Sequence, residues 1–190
     1  MSIEEPSYVR VDVEGLKVLA HPLRVRLLGL LRTHGPGTAS GLAARVGESS
    51  GTTSWHLRRL ADAGFIEPDT ERGNRRERWW RAAQDFTQVS PRSMPDEPEA
   101  QDALGAYLRI VVDAHHEQAR EFIRSRHTWP EPWRHVSHLS DCTLSLSETE
   151  ARDLHREYEE LLSRYRRAAV EGDQTVSVQL QSFPMRIDRP

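Results

Sequence analysis

The sequence predicts a mainly α-helical fold with small β elements: a compact N-terminal domain, then a long helix, then a strand-helix-strand C-terminal region. Three observations carry this. Apolar residues recur at three- and four-residue spacing from Leu16 to Leu60. After Gly64 the pattern changes to two short strand-like runs separated by a polar turn. Beyond a proline-rich stretch, one apolar stripe runs from Leu104 to Phe122.

The bulk numbers bound the class. A chain of 190 residues with 37% hydrophobic content can bury a core. Its net charge of −3 makes it no polycation, but the charge is unevenly placed. Residues 1–90 carry 13 basic against 11 acidic side chains, and residues 91–190 carry 13 against 18. The single cysteine, Cys142, excludes an intrachain disulfide framework and a multi-cysteine metal site. The chain does not open on a basic run followed by an apolar one, and it has no run of 18 apolar residues. Neither a signal peptide nor a membrane span is therefore expected, and the expected location is cytoplasmic.

Residues 1–12 read as an arm with a short strand around Tyr8 to Val11. Leu16, Leu19 and Ala20 begin helical periodicity, and Pro22 marks the first turn of a second helix, where its missing N–H costs nothing. The stripe Leu23, Leu27, Leu30, Leu31 continues to about Arg32, and the run from His34 to Gly37 ends it. Thr38 is placed to cap a third helix that buries Leu42, Ala43 and Val46 before Gly47 breaks it. Ser49 or Ser50 caps a fourth helix reaching about Ala63, with Thr53, Leu57, Leu60 and Ala61 on one side. Phe65 and Ile66 enter one strand and Trp79 and Trp80 another, with the polar turn Glu71 to Arg76 between them. Helix, turn, helix, glycine, strand, basic turn, strand is the order of a winged helix-turn-helix, here over residues 1–90.

Pro91, Pro95 and Pro98 mark residues 91–98 as a linker. A long helix from about Glu99 to Arg126 presents Leu104, Leu108, Val111, His115 and Phe122, flanked by Tyr107 and Ile123. That is more apolar surface than a terminal helix leaves in water, so these seven residues are expected to join two subunits. Cys142, Leu144 and Leu146 alternate as a strand, as do Val176, Val178 and Leu180. Between them Ser147 and Glu150 form a capping box that opens a helix bearing Ala151, Leu154, Tyr158, Leu161, Leu162 and Tyr165. Residues 99–190 thus read as a dimerisation and effector region.

The chemistry concentrates in the fourth helix. With Thr53, Leu57 and Leu60 turned to the core, Thr52, Trp55, His56 and Arg59 are expected on the outward side, where a helix in the major groove meets base edges. Arg59 suits a guanine, His56 either donates or accepts, the Thr52 hydroxyl serves a base or a phosphate, and Trp55 offers an apolar edge. Arg58, Arg72, Arg75, Arg76 and Arg78 suit phosphates, since wing tips reach the backbone. Each has a plainer reading beside it: a charged hairpin tip is usually a solvated turn, and an exposed Trp also marks protein contacts.

The stretch LAHPLRVRLLGLLRTHGPGTASGLAARVGESSGTTSWHLRRLADAGFIEPD, Leu19 to Asp69, resembles the ArsR/SmtB-type winged-helix regulators, and RGNRRERWWRAA, Arg72 to Ala83, resembles their wing. The resemblance covers about a third of the chain and includes the pattern Ser49, Thr52, Ser54, His56, Leu57, Leu60. It implies a homodimeric repressor or regulator on an inverted repeat of double-stranded DNA, with Ser50, Thr52, Ser54, Trp55 and His56 near the DNA. Metal-sensing members often carry a cysteine pair in the helix before the turn, which is lacking between Thr38 and Val46, or acidic and histidine ligands in the long dimerisation helix. Asp113, His115, His116, His135 and His138 are present, but adjacent histidines on a helix point about 100° apart. No metal and no cofactor is therefore expected. A small organic effector among Trp129, Trp133, Tyr158 and Tyr165 fits better, although these side chains equally suit a filled core. There is no glycine-rich phosphate loop, nucleophile elbow or HExxH, so no enzyme is expected. The alternatives are a winged-helix protein-interaction module without DNA function and a regulator whose ligand binds the C-terminal region.

Overall fold

The computed structural model describes residues 8–72, 77–89, 94–165, 167 and 170–186. After a short strand β1 (Tyr8–Arg10), the Asp12 carboxylate accepts the Gly15 amide at 2.8 Å and so opens α1 (Val13–Leu19). Helix α2 (Pro22–His34) carries its proline in the first turn as the spacing predicts, and its cap is His21, whose Nδ1 accepts the Leu23 N–H at 3.2 Å. A two-residue strand β2 (Gly37–Thr38) leads into α3 (Ala39–Val46), where the Thr38 hydroxyl accepts the Gly41 N–H. Gly47 then turns the chain at φ 75°, in the left-handed region that favours glycine, and its amide donates to Ala43 O at 3.0 Å. Only Glu48 and Ser49 remain before α4 (Ser50–Asp62), and the Ser49 hydroxyl caps that helix by accepting the Thr52 N–H.

The wing is built on α4's end. Strand β3 (Ile66–Pro68) pairs antiparallel with β4 (Trp79–Ala82) in the register Ile66–Ala82, Glu67–Arg81, Pro68–Trp80. Strand β2 pairs with the other edge of β4, giving the order β2-β4-β3, and β1 runs parallel to β5 (Phe86–Gln88). Leu16, Leu19, Leu27, Leu31, Leu42, Leu57, Leu60, Phe65, Ile66 and Trp80, from α1 to α4 and the β3–β4 wing, fill a single core. At about 1.5–3 kcal/mol for each fully buried side chain, this cluster is what fixes the angle of α4.

The core continues beyond the wing. Met94, in the stretch expected to be a linker, is buried in it, and so are Ala100 and Leu104 from the start of α5 (Pro98–Ser125). Prolines end regular structure, but they do not stop one apolar side chain between them from anchoring. Past Tyr107 the stripe is only partly covered: Leu108 is 43% and Ile123 59% exposed, while Val111, His115 and Phe122 are half-buried.

The chain divides into two compact units between Glu121 and Phe122 and again between Val178 and Gln179. In the unit that follows Glu121, single 3-10 turns at Arg126–Thr128 and Trp133–His135 precede α6 (Glu148–Ser163). The capping box forms as the sequence predicts: Ser147 Oγ accepts the Glu150 N–H, and Glu150 Oε2 accepts the Ser147 N–H at 2.7 Å. No residue of α6 is buried. The strands expected at Cys142–Leu146 and Val176–Leu180 do not form among the described residues, and their apolar side chains are exposed. Alternation produces a strand only where a neighbouring strand takes up its backbone groups. No described helix is long and apolar enough to cross a membrane.

Candidate nucleic-acid interface

The interface is assembled by packing α3 against α4. Leu42 and Val46 of α3, with Leu57 and Leu60 of α4, are buried, so the opposite side of α4 is turned to solvent. On that side Ser50, Thr52, Trp55, Arg58 and Arg59 are exposed, and Ser54 is half-buried. The Thr52 hydroxyl lies 2.8 Å from Ser49 Oγ, which orients it at the first turn, and Arg58 Nε donates to Ser54 O at 3.3 Å. Trp55 keeps 52% of its surface exposed. A short helix with its back locked in a core and polar groups with one indole on its front is the arrangement that presents side chains to a major groove.

His56 departs from the expected outward placement. It is only 5% exposed, and its ring centroid lies 4.4 Å from that of His21. Burial lowers its pKa below the ordinary 6.5, the nearby His21 and Arg24 lower it further, and Glu48 opposes them. Its Nδ1 is enclosed without a hydrogen-bond partner. A ring held this way supports the helix and has no edge to offer a base. The signal was in the spacing: Thr53, His56, Leu57 and Leu60 are i, i+3, i+4 and i+7, the buried face of an ordinary amphipathic helix.

In the wing, Arg72 is exposed with its Nε 3.6 Å from Asp69 Oδ2. Arg78, just before β4, places its guanidinium carbon 5.3 Å from the centroid of the Trp80 ring. Arg81 pairs with Glu67 across the hairpin at 2.6 Å. Ser40 donates its hydroxyl to Glu77, and this bond, with a second from Thr38, holds the Glu77 carboxyl below its usual range. The approach to β4 is thereby tied to the start of α3. Arg75 and Arg76 lie outside the described residues.

Sequence reasoning passed over Arg24. It sits on α2, off the leucine stripe, and nothing in a single sequence marks it, yet the fold brings it beside Trp55 and Arg59. Of the residues expected to join subunits, Leu104 is instead consumed by the chain's own core, and Tyr107 packs on that core beside Arg32. Leu108, Val111, His115, Phe122 and Ile123 stay outside it. Trp129, Trp133 and Tyr158 are half-buried, whereas Tyr165 is 78% exposed. Among the described residues, no three His, Cys, Asp or Glu side chains gather as a metal cage.

Residues 19–69 match a family described as a helix-turn-helix domain. That span runs from the last residue of α1 to the buried Asp69 after β3. The chain is also similar to a solved structure described as a possible transcriptional regulator for arsenical resistance, at 31% identity over 55% of this chain and 84% of that one, with a TM-score of 0.32. A homodimeric winged helix-turn-helix DNA-binding domain from Mycobacterium bovis, described as a possible ArsR-family regulator, is 19% identical over 67% of this chain and 82% of its own, with a TM-score of 0.34. A transcriptional regulator from Thermotoga maritima is 14% identical over 81% and 87%, with a TM-score of 0.32. No curated protein matches the chain.

Proposed function

We propose that this chain, whose α3, α4 and β3–β4 hairpin form a winged helix-turn-helix, is a non-enzymatic, sequence-specific double-stranded DNA-binding transcription regulator of the ArsR/SmtB kind. The observation that carries the reading is the front of α4: Thr52 and Trp55 stand exposed on a helix whose back is locked by Leu57 and Leu60. A major groove about 12 Å wide admits such a helix, and its first turns meet the base edges. Ser50 and Thr52 contribute hydroxyls to bases or phosphates, Trp55 an apolar plane, and Arg58, Arg72 and Arg78 phosphate contacts.

The regulator acts in the cytoplasm as a homodimer on an inverted repeat, with repression as its output. The exposed Leu108 and Ile123 of α5 support the dimer, since an apolar stripe of that length is stable in water when a second copy covers it. A small organic effector is assigned to the unit containing Trp129, Trp133 and Tyr158. The exposed indole of Trp55 favours one competing reading, a protein-docking module. Fluorescence anisotropy of the full chain on a mixed-sequence duplex, measured across salt concentrations, separates the two. A DNA reader binds with log affinity falling linearly in log salt, and absence of binding at low salt overturns the proposal.

A further inference from the structure

Arg59 stands between two open cavities of opposite character. One, of about 330 Å³, is lined by Asp12, Glu14 and Asp62 around the single arginine. The other, of about 480 Å³, lies between α1, α2 and α4 and is lined by Glu14, Lys17, Val18, Arg24, Trp55 and Arg59. In this second cavity the Lys17 ammonium is already satisfied, 2.7 Å from Glu14 and 2.7 Å from Glu99, and these two carboxylates raise its pKa to about 12. Its charge, with that of Glu14, is spoken for. Arg24 and Arg59 are not: neither has a carboxylate partner among the described residues. Arg24 makes one 3.3 Å bond to Lys17 O, and its Nε is enclosed without a partner. Burial lowers the Arg24 pKa, and the charge of Arg59 lowers it further, the mark of two guanidinium groups held near each other.

An oxyanion between the two guanidinium groups relieves that repulsion, and the planar fork of each suits phosphate oxygens. The acidic cavity on the other side of Arg59 repels the same ion, so the anion is directed to the Arg24 side. Trp55 lines the same cavity and adds a flat apolar surface that suits a sugar ring. We propose that Arg24 and Arg59, with Trp55 beside them, form a phosphate-binding cleft that carries the DNA-contacting surface from α4 onto α2. This places Arg59 on the backbone rather than on a base. The source of the phosphate, a duplex, rests on the function proposed above; the cleft itself rests on the cavity and on two arginines that make no ion pair among the described residues.

The test compares the salt dependence of duplex binding for the wild-type chain, Arg24→Gln, Arg24→Lys and the control Arg156→Gln, whose arginine pairs with Asp153 and Glu160 on α6. Thermal melts establish that each variant is folded. Arg24→Gln is expected to flatten the slope of log affinity against log salt by roughly 0.9, Arg24→Lys to keep most of it, and Arg156→Gln to match wild type. A folded Arg24→Gln with the wild-type slope overturns the inference and leaves the DNA-binding reading standing. A wild-type chain without salt-dependent binding overturns both. A second arm titrates DNA-free protein with inorganic phosphate and with adenosine monophosphate, following the Trp emission that Trp55→Phe removes. Quenching lost in Arg24→Gln, with the DNA slope unchanged, assigns the cleft to a free phosphorylated ligand and overturns the assignment to the DNA backbone.

Discussion

The rings of His21 and His56 stand 4.4 Å apart and tilted by 47°, joining the cap of α2 to the buried face of α4. His21 Nδ1 must be unprotonated to accept the Leu23 N–H, and His56 is enclosed beside Arg24. Burial is the main cause that lowers both pKa values from 6.5, with Arg24 adding to it and Glu48 partly offsetting it at His56. Because the folded values are depressed, the unfolded chain takes up protons first. Stability is fully present above about pH 6.5 and is lost as pH falls from there through the folded-state values. Urea unfolding at pH 7.5 and pH 5.5 should show a drop that shrinks in His56→Gln. His115, lowered by its own burial and by His116, accounts for part of what remains. An undiminished drop in the variant would place the acid sensitivity elsewhere.

The turn between α3 and α4 depends on Gly47. Its φ of 75° is strained for any residue with a Cβ, yet nothing lies within 4 Å of where that Cβ would stand. Gly47→Ala should therefore destabilise the fold by about 1–2 kcal/mol through the backbone alone. A neutral effect in chemical denaturation would show that the turn relaxes.

Two leucines separate core from interface. Leu57 is fully buried, and its truncation to Ala should cost about 2–5 kcal/mol. Leu108 is exposed in the single chain, so Leu108→Ala should leave unfolding at low concentration within about 0.5 kcal/mol of wild type. Light scattering on the same variant should show weakened self-association. A full-length wild-type chain that is monomeric at micromolar concentration contradicts the dimer.

Specificity and affinity should divide between Thr52 and Arg59. Thr52→Val removes a hydroxyl while keeping the branched shape, and it should lose about 1 kcal/mol on a selected operator and far less on random duplex. Arg59→Ala should lose equally on both, as a phosphate contact does. A loss confined to the operator for Arg59→Ala would return that residue to base reading.

The motif was legible because local signals agreed with tertiary ones. Pro22 sits in the first turn of α2, and Thr38, Ser49 and Ser147 with Glu150 cap α3, α4 and α6 by bonds that short-range spacing predicts. His56 was misplaced because its polarity outweighed its position four residues before Leu60. Arg24 was invisible for a different reason: its partners Trp55 and Arg59 lie more than 30 residues away, and only packing of α2 on α4 brings them together. The alternation at Cys142–Leu146 and Val176–Leu180 overstated strand content, since periodicity records which side chains share a face and says nothing of a neighbouring strand.

The central claim is that the front of α4 reads a DNA sequence, and selection of bound duplexes from a random pool tests it most directly. The full chain should enrich an inverted repeat whose half-sites are separated by about one helical turn, roughly 34–36 Å, and Thr52→Val should relax the preference at one position in each half-site. A bound pool indistinguishable from the input, from a folded chain that still binds duplex at low salt, would contradict it.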